Sequence, residues 1–189
     1  KIELDHTGSG GGVTLSSDGT DLLLDGTAVG GGADLYAANE VNVTAQPSAT
    51  GDDAIAIGDS AVSSGGNSIA IGASASASSG IALGFSASST GTLAAALGRN
   101  STASGSNSLA LGGKTTAGSS YSTAIGLNSG FNGSVTATGA GAMALGGSYA
   151  SGTASFAAAI NNNISSYGAT GANSIAIGRS SKATGSTSF

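Results

Sequence analysis

His6 is the only histidine in this chain of 189 residues, and it stands beside Asp5 in a sequence full of serine, the side chains from which a hydrolytic triad is assembled. No nucleophile motif accompanies it, so His6 is expected as a surface strand residue and no catalytic residue is assigned. Asp18, Asp21 and Asp25 carry oxygen ligands suited to Ca²⁺, but a calcium-binding solenoid repeats its Asp in every turn and no acid follows Asp59. Turn capping explains these three better, and no metal or cofactor is expected. The abundant glycines superficially suggest phosphate loops, yet no complete phosphate-loop motif follows them and no helical pattern opens after them. Arg99, Lys114, Arg179 and Lys182 are the only charges beyond Asp59. Four cations are too few and too dispersed for nucleic acid, where strong binding typically uses 6 to 10 phosphate contacts, and no interleaved aromatics offer base stacking. Phe131, Tyr149, Phe156 and Tyr167 are the aromatic candidates for a recognition surface, with Arg99, Lys114 and Arg179 as the charged ones.

Whatever positions these residues is not an ordinary globular core. Charged residues are 8% and aromatics 4%, the 39% hydrophobic fraction is mostly Ala, and Gly numbers 34 against a single Pro. That excludes a conventional compact enzyme. A mean hydropathy of +0.21 with so few charges argues against disorder and for ordered repetitive β-structure. There is no cysteine to form disulfides and no apolar run of the roughly 20 residues a membrane helix needs.

An aliphatic-Ala-aliphatic-Gly signature recurs from residue 55 onward. Clear copies end at Gly58, Gly72, Gly84, Gly112, Gly146 and Gly178; weaker ones are Ala95-Ala96-Leu97-Gly98, Thr123-Ala124-Ile125-Gly126 and Ala158-Ala159-Ile160-Asn161. Successive ends are 14, 12, 14, 14, 14, 20, 15 and 17 residues apart, so 14 is the unit. A second Gly lies seven residues after the first in Gly58/Gly65, Gly84/Gly91 and Gly98/Gly105, and Asn161/Gly168 keeps the offset. The extra residues are therefore expected after that second Gly, at 134–139 and 169–171, on one edge of a stack.

Two glycine corners in fourteen residues leave two segments of about five, each with the period of a strand. In the first, Ile55 and Ile57 face one side and Ala56 the other; the second brings small residues such as Ala61 and Ala75, and the two are expected to pack large against small. The result is a flattened parallel β-roll, one coil per repeat. Large apolar side chains are so few per turn that burial against other copies is expected. The alternating polar pattern of Ile2 to Leu4, Val13 to Leu15 and Leu22 to Leu24, with turns at Asp18-Gly19 and Asp25-Gly26, reads as a small β-meander over 1–29. A linker over 30–50 contains Gly30-Gly31-Gly32 and ends just past Pro47, and the roll runs over 51–189.

Gly-x-Asn-Ser-Ile-Ala-Ile-Gly at 65–72 and the equivalent run at 171–178 closely resemble the head repeats of YadA-type trimeric autotransporter adhesins. That resemblance implies a left-handed roll in which three chains surround one axis, with the alternate alanine face exposed. The trimer core would then comprise Ile55, Ile57, Ile69, Ile71, Ile81, Leu83, Leu97, Leu109, Leu111, Ile125, Met143, Leu145, Ile160, Ile175 and Ile177, and the corners Gly58, Gly72, Gly84, Gly98, Gly112, Gly126, Gly146 and Gly178. On this reading Ile71→Asp prevents assembly while Ala70→Ser is tolerated. No coiled-coil stalk or anchor barrel lies within the chain. The segment from Lys1-Ile2-Glu3-Leu4 through Leu24-Asp25-Gly26-Thr27 is similar to virion structural proteins of tailed phages, particularly those of marine cyanobacteria.

The function these features imply is a non-enzymatic homotrimeric fibre or adhesin on a virion surface, meeting a host glycan or protein and joined to other virion proteins through its N-terminal part. A bacterial adhesin head and a structural spacer or capsid decoration without ligand are the alternatives. All ten acids lie between Glu3 and Asp59, so with Lys1 the net charge is −9 over 1–59, against +4 over 60–189. Gly185 to Phe189 aligns on Gly171 to Ile175, from which the roll is expected to continue past Phe189.

Overall fold

The two sequence regimes build two β units, Lys1–Asn39 and Glu40–Phe189, in a computed structural model. The structure describes residues 45–126, 135–159 and 166–189 in full and, before them, the strands at 2–4, 13–17, 22–24 and 27–29. No helix occurs among the described residues.

In the first unit, β1 (Ile2–Leu4), β2 (Val13–Ser17), β3 (Leu22–Leu24) and β4 (Thr27–Val29) form an antiparallel sheet in chain order. Ile2 pairs with Leu15 and Leu4 with Val13, so the alternating apolar residues lie in register. Leu24 pairs with Thr27 across Asp25-Gly26, a two-residue hairpin connection suited to that dipeptide. The meander thus has a fourth strand beyond the three that the apolar alternation marks.

The second unit is a parallel β-solenoid. Consecutive strands alternate between a nine-stranded sheet, running from Ile55–Ile57 to Ile175–Ile177, and a ten-stranded sheet, running from β5 (Ser48–Ala49) to Lys182–Ala183. β5 belongs to the ten-stranded sheet, three residues ahead of the expected start at 51. Signature pairs with signature, as in Ile55↔Ile69, Ile69↔Ile81 and Leu97↔Leu111.

Local chemistry explains each corner. In Gly65-Gly66-Asn67-Ser68, Asn67 takes the left-handed turn position at φ 58°, which Asn tolerates better than most residues, and Ser68 Oγ donates to the Gly65 carbonyl at 2.7 Å. Gly171 to Ser174 repeats it, with Asn173 at φ 54° and Ser174 Oγ on the Gly171 carbonyl at 2.6 Å. At the other corner Gly98 has φ 135°, and a Cβ there would lie 2.4 Å from the carbonyl oxygen of Gly112 in the next coil. Only glycine fits that stacking. Ser101 and Ser181 cap this corner by donating to the carbonyls of Gly98 and Gly178, at 2.8 and 2.9 Å.

The interior corrects the expected polarity of the strands. Ala70, Ala82, Ala96, Ala110, Ala124, Ala144 and Ala157, the middle residues of the signature, are fully buried between the sheets, facing Ala77, Ala103, Ala117, Ala137, Ala150 and Ala169. The alanine face is therefore not exposed, and small packs against small rather than against large. The reason is the width of the coil: two short strands joined by tight glycine corners leave room for methyl groups and a few capped hydroxyls, so the larger members of the alternation must point out of the roll.

Register also corrects one repeat. Phe156–Ala159 is the strand in the nine-stranded sheet, with Phe156 against Met143 and Ile175, and Ala158 against Leu145 and Ile177. The expected copy at 158–161 is displaced by two residues. A slip of two preserves the alternation, so period alone could not choose between the frames. Gly168 lies within a strand against Lys182, and Gly171 rather than Gly168 makes the second corner. Both insertions consequently sit at the first corner: Gly126 is followed by a strand only at Val135, and Ala159 by one only at Gly168.

Candidate functional site

Two features of the roll's exterior follow from that geometry. The first is a double column of large apolar side chains on the outer face of the nine-stranded sheet. One column runs Ile55, Ile69, Ile81, Ala95, Leu109, Thr123, Met143, Phe156, Ile175; the other runs Ile57, Ile71, Leu83, Leu97, Leu111, Ile125, Leu145, Ala158, Ile177. Ile57, Ile69, Leu97, Leu109, Ile125, Leu145 and Ile175 are half-buried by their neighbours in the column. Ile55, Ile71, Ile81, Leu83, Leu111 and Met143 keep 36 to 45% of their surface exposed, and Ile177 keeps 67%. The outer face of the ten-stranded sheet contrasts with it, presenting Ser76, Ser88, Thr102, Thr116 and Thr136 along its middle, with Val62 before them and Tyr149 and Lys182 after. One side of the roll is oily and the other is hydroxylated.

Ile160 lies outside the described residues, and the rung expected of it belongs to Ala158. Phe156, expected as a loop aromatic, is instead a half-buried rung of the first column. Its sequence signal was Phe-Ala-Ala-Ala, a signature with an aromatic in the aliphatic place and Ala in place of Gly. An open apolar hollow of about 560 Å³ lies beside Ala158, lined by Leu145, Gly146, Gly147, Ala159 and Ile177.

The second feature is the first corner, which follows the signature Gly. The glycines there, Gly58, Gly72, Gly84, Gly98, Gly112, Gly126, Gly146 and Gly178, have φ between 75° and 153°. Arg99 and Arg179 each follow one of them directly, Lys114 lies one residue further, and all three are exposed. Phe85, which sequence reasoning passed over, occupies the Arg99 position one coil earlier; the Arg99 guanidinium lies 5.6 Å from its ring centroid. A cation–π contact joins them. Gly113-Lys114-Thr115, the nearest approach to the end of a phosphate loop, is a β-corner leading into a strand, with Thr115 buried and bonded to the Gly112 carbonyl at 3.1 Å. Tyr167 sits at this corner, 38% exposed, and Tyr149 is half-buried on the outer face of the ten-stranded sheet. Phe131, His6, Asp18, Asp21 and Asp25 lie outside the described residues.

The second corner carries a large exposed side chain in two coils, while Asp53, Ala154 and Thr187 hold the same left-handed position in others. Leu93 and Tyr121 take left-handed φ of 55° and 61° where other coils use Asn67, Asn107 and Asn173, and they are 75% and 70% exposed. No group of acidic, histidine or cysteine side chains among the described residues is arranged to hold a metal ion.

The chain thus contains a parallel β-roll of fourteen-residue coils, small inside and aliphatic along one outer face. The YadA head domain repeat family model matches residues 49–75, 89–115, 103–129 and 169–189, all within the roll, so the solenoid is similar to a YadA-type head over those coils. Heads of this family are surface-exposed, homotrimeric in general and generally non-enzymatic. No curated protein matches the chain.

Proposed function

We propose that this chain is the head of a homotrimeric, non-enzymatic adhesin-type fibre, in which three rolls pack their aliphatic columns around a common axis. The observation that carries this reading is the asymmetry of the exterior. Seven members of the columns stay more than a third exposed in one chain, while the opposite face is mostly Ser and Thr, with Val62, Tyr149 and Lys182 toward its ends. A continuous apolar stripe of this length is not left in water by a stable protein, and closing three such stripes on one another buries all of them at once. The corners and the hydroxylated sheet then face outward, where they are available to a host glycan or protein.

The resemblance of residues 1–29 to phage virion proteins favours a virion fibre or appendage as the carrier, joined to other virion proteins through the four-stranded sheet. The family match favours a second carrier, the bacterial surface. Light scattering at micromolar concentration tests the assembly: three chains are expected, and a folded stable monomer overturns it. Immunogold labelling with an antibody to the roll, applied to phage particles and to cells, decides the carrier. Adherence of labelled roll to host cells distinguishes a head from a spacer.

A further inference from the structure

We infer that Phe85, Arg99 and Lys114 form a binding site for an acidic polysaccharide on each chain. The inference rests on the adhesin reading and names the ligand class of its outer surface. The three residues occupy one corner in three successive coils: Asn100 N donates to the Phe85 carbonyl at 2.9 Å and Lys114 N to the Arg99 carbonyl at 2.9 Å, so the column is in register along the roll axis. Neighbouring coils stand about 4.8 Å apart, which spreads the site over about 10 Å, comparable to a short stretch of sugar chain.

Each residue is unusual for its place. Phe85 is 51% exposed, where the same position holds Asp59, Ala73 and Gly113 in other coils, and the exposed ring adds nothing to the roll's interior. Its ring braces the Arg99 guanidinium from one side and leaves the donor fork open, and the following Gly113 has no side chain to cover it. Lys114 adopts φ 57°, the left-handed corner position that Ser60, Ser74, Ser86, Asn100 and Ser180 hold in other coils, so the coil fixes its backbone and the long cationic side chain stands where other coils carry short polar ones.

Charge sets the ligand. No acidic residue exists anywhere between 60 and 189, so Arg99 and Lys114 have no ion-pair partner in their own part of the chain. The nearest acid on this corner, Asp59, lies three coils before Arg99 and accepts a hydrogen bond from Ala45 N at 2.8 Å. A planar guanidinium beside an ammonium suits carboxylate or sulfate groups, and the exposed remainder of the Phe85 ring suits the apolar C–H face of a pyranose. Two cations per chain fall short of what a nucleic-acid duplex demands, whereas a polysaccharide with repeated acid groups gains avidity by meeting several chains.

The test uses the whole chain in biolayer interferometry against immobilised polygalacturonate, dextran sulfate, neutral dextran and duplex DNA, with light scattering of every sample. Polygalacturonate or dextran sulfate is expected to bind and neutral dextran not to. Arg99→Gln with Lys114→Asn, the latter suited to a left-handed φ, is expected to weaken binding at least tenfold with the number of chains unchanged. Phe85→Leu is expected to weaken it several-fold without lowering the melting temperature. Equal binding to neutral dextran, tighter binding to DNA, or an unaffected double variant overturns the site. If three chains and adherence persist while both polyanions fail, this inference falls and the adhesin reading stands; a stable monomer sinks the reading itself.

Discussion

Leu111→Ser is the sharpest probe of the outer column. Leu111 sits between Leu97 and Ile125, with 40% of its surface exposed in the single chain. Fully burying a leucine is worth about 1.5–3 kcal/mol, so the part not yet buried amounts to about 1 kcal/mol per chain on assembly. Three chains change together, giving roughly 3 kcal/mol, or on the order of a hundredfold in the trimer dissociation constant. Because that constant scales with the square of concentration, the half-dissociation point should rise roughly tenfold. Sedimentation velocity over a dilution series measures this, with circular dichroism confirming that the coils remain. Thr116→Ser, on the outer face of the ten-stranded sheet, serves as the control and should leave the curve in place. Coincident curves for Leu111→Ser and the wild type would refute the assignment of this face to the axis.

Further variants test the interior and the corners by thermal melting. Ala110→Leu inserts a large side chain between the two sheets and should cost about 1–3 kcal/mol per chain or prevent folding, the opposite of what an exposed alanine would show. Ala70→Ser, harmless if that face met water, should lower stability by about 1–3 kcal/mol if the new hydroxyl finds no acceptor in the closed interior. Gly98→Ala should destabilise by more than the roughly 1–2 kcal/mol of left-handed strain, since its Cβ also meets the Gly112 carbonyl. Ser68→Ala removes a cap and should cost about 1 kcal/mol, whereas Ser108→Ala, at the same place in its coil but with a buried unpartnered Oγ, should be neutral or stabilising. Leu93→Asn and Tyr121→Asn should each raise stability by about 1 kcal/mol by relieving left-handed strain at exposed positions.

Periodicity made the coil legible because the fourteen-residue unit carries its own hydrogen-bond chemistry: glycine at both corners, Asn in the left-handed position, Ser on the preceding carbonyl. Two kinds of information were not in the period. Alternation separates Ile69 and Ile71 from Ala70 but does not say which set lies inside, and habit assigns the large set to the core. The decisive quantity was the width between two short strands, a property of the closed coil rather than of either strand. The frame of Phe156 to Ala159 was hidden for a related reason, since a two-residue slip leaves every side chain on the same face and Ile160 was the conspicuous aliphatic. The pairing of Phe85 with Arg99 was lost because they lie fourteen residues apart and become neighbours only when the coils stack.

An interior of methyl groups also dictates where variation can occur. Every coil presents alanine to the inside and the largest fully buried side chains are only Val135 and Thr115, so the interior has little room for a larger residue. Change is therefore expelled to the outer columns and the corners. In the columns it leaves small rungs at Ala95, Thr123 and Ala158, with an apolar hollow beside Ala158. At the first corner it permits the long connections after Gly126 and Ala159 and the cations after Gly98, Gly112 and Gly178. In the proposed assembly, the column that packs three chains and the corner proposed to bind a ligand are separate surfaces. On that proposal, substitutions at Arg99 or Lys114 would alter ligand binding while leaving untouched the column that would hold three chains together.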